Sequence, residues 1–123
     1  MSHDAIGIER ANMILYCDSW GPTVAFYRNT LRLAVSFEND WFVEFEVAEG
    51  VSISIADASR ATIRAVAGQG VTLTLRVADV DRVHAQLLAE GVELTPITDR
   101  WGGRVCYCRD PEGHRIEFWS AAR

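Results

Sequence analysis

An internal repeat of about 60 residues limits the folds that are open to this chain. The segment MILYC precedes LTLRV by 60 positions, and ISIAD precedes IEFWS by 63. Each segment has the pattern of a strand, and matched elements at a regular offset are typical of an internal repeat. Half of a 123-residue chain is marginal for an independent core, so we expect the two copies to pack together or across a dimer.

The hydrophobic pattern predicts the order β-α-β-β-β in each copy. In the first copy we expect a strand at 12–17, a helix at 19–33, and strands at 34–39, 41–47 and 51–57. In the second copy we expect a strand at 71–77, a helix capped by Asp79 and stopped by Gly91, and strands at 92–97, 103–109 and 114–120. The predicted class is therefore α+β, in a single domain over 1–123: module 1 at about 10–57, a connector at about 58–70 and module 2 at about 71–120.

Successive side chains of a strand point to opposite faces, which separates core residues from candidate site residues. On the first strand, Met13, Leu15 and Cys17 are expected to pack under the helix, which leaves Asn12 and Tyr16 on the opposite face. On the last strand, Ile116 and Phe118 pack in the same way. Glu117 and Trp119 then share the opposite face with Arg76 of the fifth strand. One carboxylate is thus expected among aromatic side chains.

Composition narrows the possible functions. The net charge is −5 and no basic block is present, so we expect no nucleic-acid partner. All twelve basic residues are arginine, which excludes Schiff-base chemistry from a lysine. No apolar run is long enough for a signal peptide or a membrane span. The three cysteines, Cys17, Cys106 and Cys108, are odd in number and contain no C-x-x-C pair, so we expect reduced thiols in a cytoplasmic protein without a membrane partner.

Two βαβββ modules, the helix segment AFYRNTLRL and the closing segment WGGRVCYCRDPEGHRIEFW together resemble the vicinal-oxygen-chelate superfamily. That superfamily includes glyoxalase I, extradiol dioxygenases, fosfomycin-resistance enzymes and bleomycin-resistance proteins. The resemblance covers residues 10–120, and its most specific part is the D-P-x-G-x-x-I-E-F ending. It implies that the modules form a cupped, open, barrel-like mixed sheet with helices outside and a ligand in the concavity.

The resemblance also identifies four positions that supply metal ligands in metal-dependent members. In this sequence they are Asn12, Ser54, Thr72 and Glu117. Only Glu117 is a competent ligand for a transition metal, because such ions prefer imidazole, thiolate and carboxylate donors. The histidines do not replace the missing ligands, since we expect His84 at the helix surface or its boundary, and His114 exposed at, or capping, the turn at Gly113. We therefore expect neither a metal nor another cofactor.

Metal-free bleomycin-resistance proteins sequester planar cationic drugs in an aromatic crevice at a dimer interface. By resemblance, we expect a homodimeric, metal-independent protein of this type that binds an aromatic or hydrophobic small organic molecule. Tyr107 joins the candidate site because it matches an inward position of the family's closing hairpin. The candidate ligand-binding residues are Asn12, Tyr16, Ser54, Thr72, Arg76, Trp101, Tyr107, Glu117 and Trp119. Trp41 or Trp101 is expected at the rim where the two chains meet.

Three alternatives remain open at the level of sequence. The protein is an enzyme if Glu117 serves as the surviving metal ligand of a glyoxalase I-like lyase or a dioxygenase, or as a metal-free general base. Glu117 has only a structural role if it pairs with Arg76 or with another arginine of the same face. The domain has no ligand if its own side chains fill the concavity.

Overall fold

The computed structural model describes residues 6–122. The chain divides into two compact units, Met1–Ala65 and Val66–Arg123, and each contains one four-stranded mixed sheet. The α+β class and the two βαβββ modules are confirmed. Within residues 6–122 the eight strands form two sheets, and no strand of one sheet pairs with a strand of the other.

The first unit contains four strands and one broken helix. Its elements are β1 (Ala11–Cys17), α1 (Trp20–Ala25), a π-helical turn (Phe26–Thr30), β2 (Ala34–Glu38), β3 (Phe42–Ala48), β4 (Val51–Asp57) and a 3₁₀ turn (Ala58–Arg60). The sheet order is β1-β4-β3-β2, in which β1 runs parallel to β4 and the other pairs are antiparallel. The bounds predicted for β4 are those observed.

The core of the first unit lies on the helix side of its sheet. Ile53 and Ile55 of β4 are buried there, as are Leu15 and Cys17 of β1. The prediction for Met13 is wrong, since 44% of it is exposed. The expected helix at 19–33 is regular only over Trp20–Ala25 and continues as a π-helical turn, so a short α-helix covers only one end of β1.

The second unit repeats the arrangement with a regular helix. Its elements are β5 (Thr72–Arg76), α2 (Val80–Ala89), β6 (Thr98–Arg100), β7 (Gly103–Arg109) and β8 (Arg115–Ala121). The sheet order is β5-β8-β7-β6, with β5 parallel to β8. Among residues 6–122, neither unit has a helix that is both long enough and apolar enough to cross a membrane.

The prediction of a strand at 92–97 is wrong. The only strand between α2 and β7 is the three-residue β6. Thr95 still bonds to Tyr107 of β7, donating its N–H to the carbonyl at 3.0 Å and accepting the Tyr107 N–H on its hydroxyl at 2.9 Å. The Thr95 hydroxyl thus accepts the hydrogen bond that a backbone carbonyl would accept in a regular strand pair. The next residue is Pro96, which has no N–H to continue a ladder.

Helix α2 is attached to one face of the second sheet by polar contacts at its first turn. Asp79 caps the helix, as predicted, because its Oδ1 accepts from the N–H groups of Asp81 and Arg82. The Val80 N–H donates to the Ser120 hydroxyl of β8 at 3.1 Å. Arg104 of β7 donates two hydrogen bonds to the Asp81 carboxylate, at 2.8 and 3.1 Å. These contacts leave the opposite face of the sheet uncovered by α2.

The structure of the turn between β7 and β8 excludes exposure, which is one of the two expectations for His114. His114 is 4% exposed, and its Nδ1 lies 2.7 Å from Asp110 Oδ2. The other oxygen of Asp110 accepts from the N–H groups of Gly113 and His114. The polar side chains of this turn therefore bond to each other inside the unit.

Candidate functional site

The face of the second sheet opposite α2 collects most of the residues predicted for the site. Strand register places Thr74, Glu117 and Tyr107 in one row across β5, β8 and β7, and it places Arg76 and Trp119 in the next row. We call this surface the arginine–aromatic face. Its residues are Thr72, Thr74, Arg76, Arg100, Val105, Tyr107, Arg109, Arg115, Glu117 and Trp119.

A hydrogen bond between Tyr107 and Glu117 lies at the centre of the arginine–aromatic face. The phenol hydroxyl donates to Oε2 of the carboxylate at 2.7 Å, and both side chains are half-buried. This bond is the main reason why the pKa of the Tyr107 phenol is raised above its usual value, with desolvation as the next cause. Within residues 6–122, the direct partner of Glu117 is this phenol and not an arginine.

Two arginines stack on the aromatic rings of this face. The guanidinium carbon of Arg115 lies 4.9 Å from the centroid of the Tyr107 ring. Arg76 lies at the same distance, 4.9 Å, from the Trp119 ring. Such cation–π contacts are worth about 0.5–1 kcal/mol at exposed sites, and they favour a fixed orientation of each ring.

Three arginines of this face were not among the site residues predicted from the sequence. Arg115 also donates its Nε hydrogen to Thr72 Oγ1 at 3.0 Å, and Arg109 lies directly opposite it in the β7–β8 register. Arg100 reaches the same face from β6. The alternation that assigned Glu117 also assigns Arg115, two residues earlier, so the signal for that residue was present. Finding Arg109 and Arg100 required the register of the hairpins.

The remaining polar candidates form a separate group in the first unit. The buried Ser54 hydroxyl donates to Asn12 Oδ1 at 2.9 Å across the β1–β4 pair. Tyr16 lies opposite Ala56 further along the same two strands and is half-buried. Beside them, Arg10 donates to Ser52 at 3.2 Å and lies 3.8 Å from Glu44. Most of the polar groups on this face are thus engaged with each other.

The two tryptophans expected at a rim have different surroundings. Trp41 is half-buried immediately before β3 and makes an edge contact with Phe42, with 5.5 Å between ring centroids. Trp101 lies in the tight turn between β6 and β7 and is 83% exposed. Its φ of 49° is left-handed, which is uncommon for a bulky residue. Trp101 is therefore a projecting ring at the tip of a hairpin.

Each of the four positions that supply metal ligands in metal-dependent members of the family that the sequence resembles is hydrogen-bonded within its own unit. In the first unit, Asn12 and Ser54 bond to each other. In the second unit, Thr72 accepts from Arg115, and Glu117 accepts from Tyr107. Across residues 6–122, no three His, Cys, Asp or Glu side chains are grouped so that they could hold a metal ion. The donor set does not fit a tightly bound transition metal.

Cys106 and Cys108 lie on β7 and are buried. Burial raises the pKa of the Cys106 thiol to about 11 and that of Cys108 to about 12. Both thiols are therefore protonated at neutral pH, where only the thiolate is an effective nucleophile. Their surroundings favour packing over nucleophilic chemistry.

Comparisons with known proteins agree with the fold. The sequence profile described as the Glyoxalase/Bleomycin resistance protein/Dioxygenase superfamily matches residues 9–118. No curated protein matches the sequence. Among solved structures, a glyoxalase/bleomycin resistance protein/dioxygenase from Nocardioides is 24% identical, with a TM-score of 0.78, over 100% of this chain and 87% of its own.

Two further solved structures carry functional names. TnmS3, an antibiotic-binding protein from Streptomyces sp. CB03234, is 21% identical with a TM-score of 0.80, and the match covers 98% of this chain and 100% of that one. A lactoylglutathione lyase from Agrobacterium tumefaciens is 22% identical with a TM-score of 0.75, over 89% of this chain and 91% of its own. At these identities the likeness concerns the fold alone.

Proposed function

Because the chain belongs to the Glyoxalase/Bleomycin resistance protein/Dioxygenase superfamily, we propose that it is a metal-independent protein that binds an aromatic or hydrophobic small molecule on the arginine–aromatic face. The observation that carries the proposal is the hydrogen bond between Tyr107 and Glu117, beside rings that are each stacked against an arginine. Aromatic surface with a few placed polar groups is the usual composition of a small-molecule site.

The arrangement of the rings favours binding because it exists before a ligand arrives. Arg115 and Arg76 each hold one ring by stacking, and the Tyr107 hydroxyl is fixed by Glu117. Immobilising a side chain on binding costs about 0.5–1.5 kcal/mol. Rings that are already oriented avoid part of that cost.

The Glu117 carboxylate also supplies a polar anchor for the ligand. Only its Oε2 is engaged by a hydrogen bond among residues 6–122. Oε1 is therefore a hydrogen-bond acceptor that a ligand N–H or O–H group can use. A neutral donor on an otherwise aromatic ligand would complement this oxygen.

The named structural neighbours include both a binding protein and an enzyme, so the fold alone does not choose between these functions. The site residues support the binding protein. A glyoxalase I-like lyase or a dioxygenase with Glu117 as its metal ligand would require further strong donors. In the second unit, Thr72 offers only a hydroxyl that already accepts from Arg115. We therefore propose no metal-dependent step.

Calorimetric titration of chelator-treated protein with a panel of aromatic and hydrophobic compounds tests this proposal. We expect at least one compound to bind stoichiometrically, and we expect Trp119→Leu to weaken its binding about tenfold or more. Leu88→Ala is the matched control, because Leu88 is 49% exposed on α2, away from the arginine–aromatic face, and it should leave binding unchanged.

Metal analysis of protein purified without chelator separates the proposal from its enzyme alternative. We expect less than one bound transition metal per chain. Stoichiometric nickel, zinc or iron that is lost in Glu117→Gln would contradict the proposal and favour the metalloenzyme. Failure of every compound in the panel to bind would also contradict it.

A further inference from the structure

The arginine–aromatic face has a charge opposite to that of the whole chain. It carries four arginines, Arg76, Arg100, Arg109 and Arg115, and one carboxylate, Glu117, whereas the chain has a net charge of −5. Within residues 6–122, none of these four arginines forms an ion pair. A face on which one sign of charge is concentrated raises the local concentration of ions of the other sign.

Two of these arginines are placed directly opposite each other. Arg109 of β7 and Arg115 of β8 are partners in the antiparallel register, and like charges at such positions are destabilising. Neutral acceptors hold them in place, because Arg109 Nη1 donates to the Gly113 carbonyl at 2.8 Å and Arg115 Nε donates to Thr72 Oγ1 at 3.0 Å. Both guanidinium groups are thus positioned without being neutralised, and each keeps further N–H donors.

A pocket lies beside this arginine pair. Its volume is about 360 Å³, and it is lined by Gly68, Gln69, Gly70, Val71, Thr72, Arg109 and Arg115. The lining contains two positive charges and no acidic side chain. The volume is at the lower end of the range for small-molecule sites, about 300–1,000 Å³. It accommodates a charged group together with part of the molecule that carries it.

The backbone fixes the wall of this pocket. Gly68 packs so closely on the turn between β7 and β8 that an added Cβ would lie 2.3 Å from the backbone carbon of Gly113. The same turn supplies the carbonyl that holds Arg109. This close contact therefore positions the loop against the turn that holds Arg109, whereas Arg115 is held by Thr72.

From these observations we propose that the ligand is an organic anion whose carboxylate or phosphate group binds between Arg109 and Arg115. The guanidinium fork matches the geometry of both oxyanions. Arg115 also stacks on Tyr107, so a ligand that starts in the pocket continues along β8 over the aromatic rings. Glu117 and Trp119 lie about 7 and 13 Å further along the strand. This inference rests on the proposed function, and it narrows the expected aromatic or hydrophobic ligand to one that carries an acid group.

A set of four naphthalene probes tests the charge of the ligand by calorimetry. They are 2-naphthoate, 2-naphthyl phosphate, the neutral 2-naphthalenemethanol and the cationic 2-naphthylmethylammonium. We expect one or both anions to bind at least tenfold more tightly than the neutral and cationic probes, and to lose affinity as salt is added. Comparison of the two anions distinguishes a carboxylate site from a phosphate site.

Two variants locate the acid group. Arg115→Gln and Arg109→Gln should each reduce anion binding about tenfold. Arg109→Gln should also leave the binding of the neutral probe within about twofold, because the two stacked rings contact Arg76 and Arg115 and not Arg109. Arg82→Gln is the matched control, because it removes the same charge from exposed α2 and should change neither. Circular dichroism of each variant checks that it is folded.

The outcomes separate this inference from the proposed function. If the neutral or cationic probe binds as tightly as the anions, or if the anion preference survives in both arginine variants, the inference fails while the proposed binding function stands. If none of the probes binds and the wider panel also fails, both are wrong.

Discussion

Tyr107 and Glu117 form the polar centre of the proposed site, where a phenol donates to a carboxylate at 2.7 Å. A hydrogen bond to a charged group makes a net contribution of about 1.5–3 kcal/mol to stability when it is shielded from water. Solvent reaches this bond, so its contribution is smaller. In the proposed site the role of the bond is positional, because it holds the Tyr107 ring against Arg115 and leaves Glu117 Oε1 available to a ligand.

The titration of the Tyr107 phenol provides a first prediction. The hydrogen bond to Glu117 raises the pKa of the folded phenol above the unfolded value of about 10. The stabilising contribution is therefore fully present below pH about 10 and is lost as the pH rises through the folded pKa. Tyrosinate absorbance of the wild type minus that of Tyr107→Phe should isolate one phenol that titrates above pH about 10. A difference curve centred at or below that pH would contradict the assignment.

The thiols of Cys106 and Cys108 provide a second prediction. Burial raises their pKa values to about 11 and about 12, so both should resist an aromatic disulfide reagent at pH about 8 in the native protein and react readily in denaturant. Measurement in a Cys17→Ser background removes the signal of the third cysteine. Rapid modification of either thiol in the native state would mean that β7 opens or that these residues have a chemical role.

Among the elements, the loop before β5 packs on the turn after β7 through Gly68, while a second glycine of the loop, Gly70, makes no such contact. Gly68 has a φ of +73°, and a Cβ there would lie 2.3 Å from backbone atoms of the turn. Gly70 has a similar φ of +81°, but a Cβ there would meet nothing within 4 Å. Comparison of Gly68 with Gly70 therefore separates the cost of a strained backbone from the cost of a steric clash.

We therefore predict different costs for alanine at these two glycines. Gly70→Ala should lower the free energy of unfolding by about 1–2 kcal/mol, which is the cost of a left-handed backbone. Gly68→Ala adds a clash with backbone atoms, so its total cost should reach about 3 kcal/mol or more. Urea denaturation of both variants measures the difference. Equal costs would mean that the loop moves away from the turn without penalty.

Much of the element pattern follows from the sequence because local chemistry specifies it. The bounds of β4 and the Asp79 cap of α2 were predicted from alternation and from a capping side chain. The segment around Pro96 was not, because its alternation favours a strand while the proline removes a donor from the ladder. Two positions were expected for His114, exposed or capping the turn. Exposure was wrong, because the ring bonds to Asp110 four residues earlier in the same turn.

The candidate site was less predictable than the fold. Alternation correctly placed Glu117 and Trp119 on one face, and it would have placed Arg115 beside them. It does not set the register between β7 and β8, which brings Arg109 opposite Arg115 and Tyr107 opposite Glu117. Glu117 bonds to Tyr107 and not to Arg76 because the register sets Tyr107 opposite it, while Arg76 stacks on the Trp119 ring.

At the scale of the whole molecule, we predict a two-fold symmetric dimer. Edge strands of the first sheet expose apolar side chains, namely Met13 and Ile14 on β1 and Phe37 on β2, which are 44%, 40% and 52% exposed. Exposed edges and apolar patches are usually covered by a partner. Sedimentation equilibrium at micromolar concentration should give about twice the chain mass of 13.7 kDa. A mass that stays at the monomer value over a wide range of concentration would contradict the dimer.

The most direct test of the proposed function is amide NMR of nitrogen-15-labelled protein, titrated in excess chelator with the tightest-binding aromatic compound of the panel. We expect shifts concentrated on β5, β7 and β8, above all at Thr74, Tyr107, Glu117 and the Trp119 indole, and we expect the chelator not to weaken binding. Shifts confined to α2 or to the first unit, or binding that returns only when a transition metal is added, would contradict it.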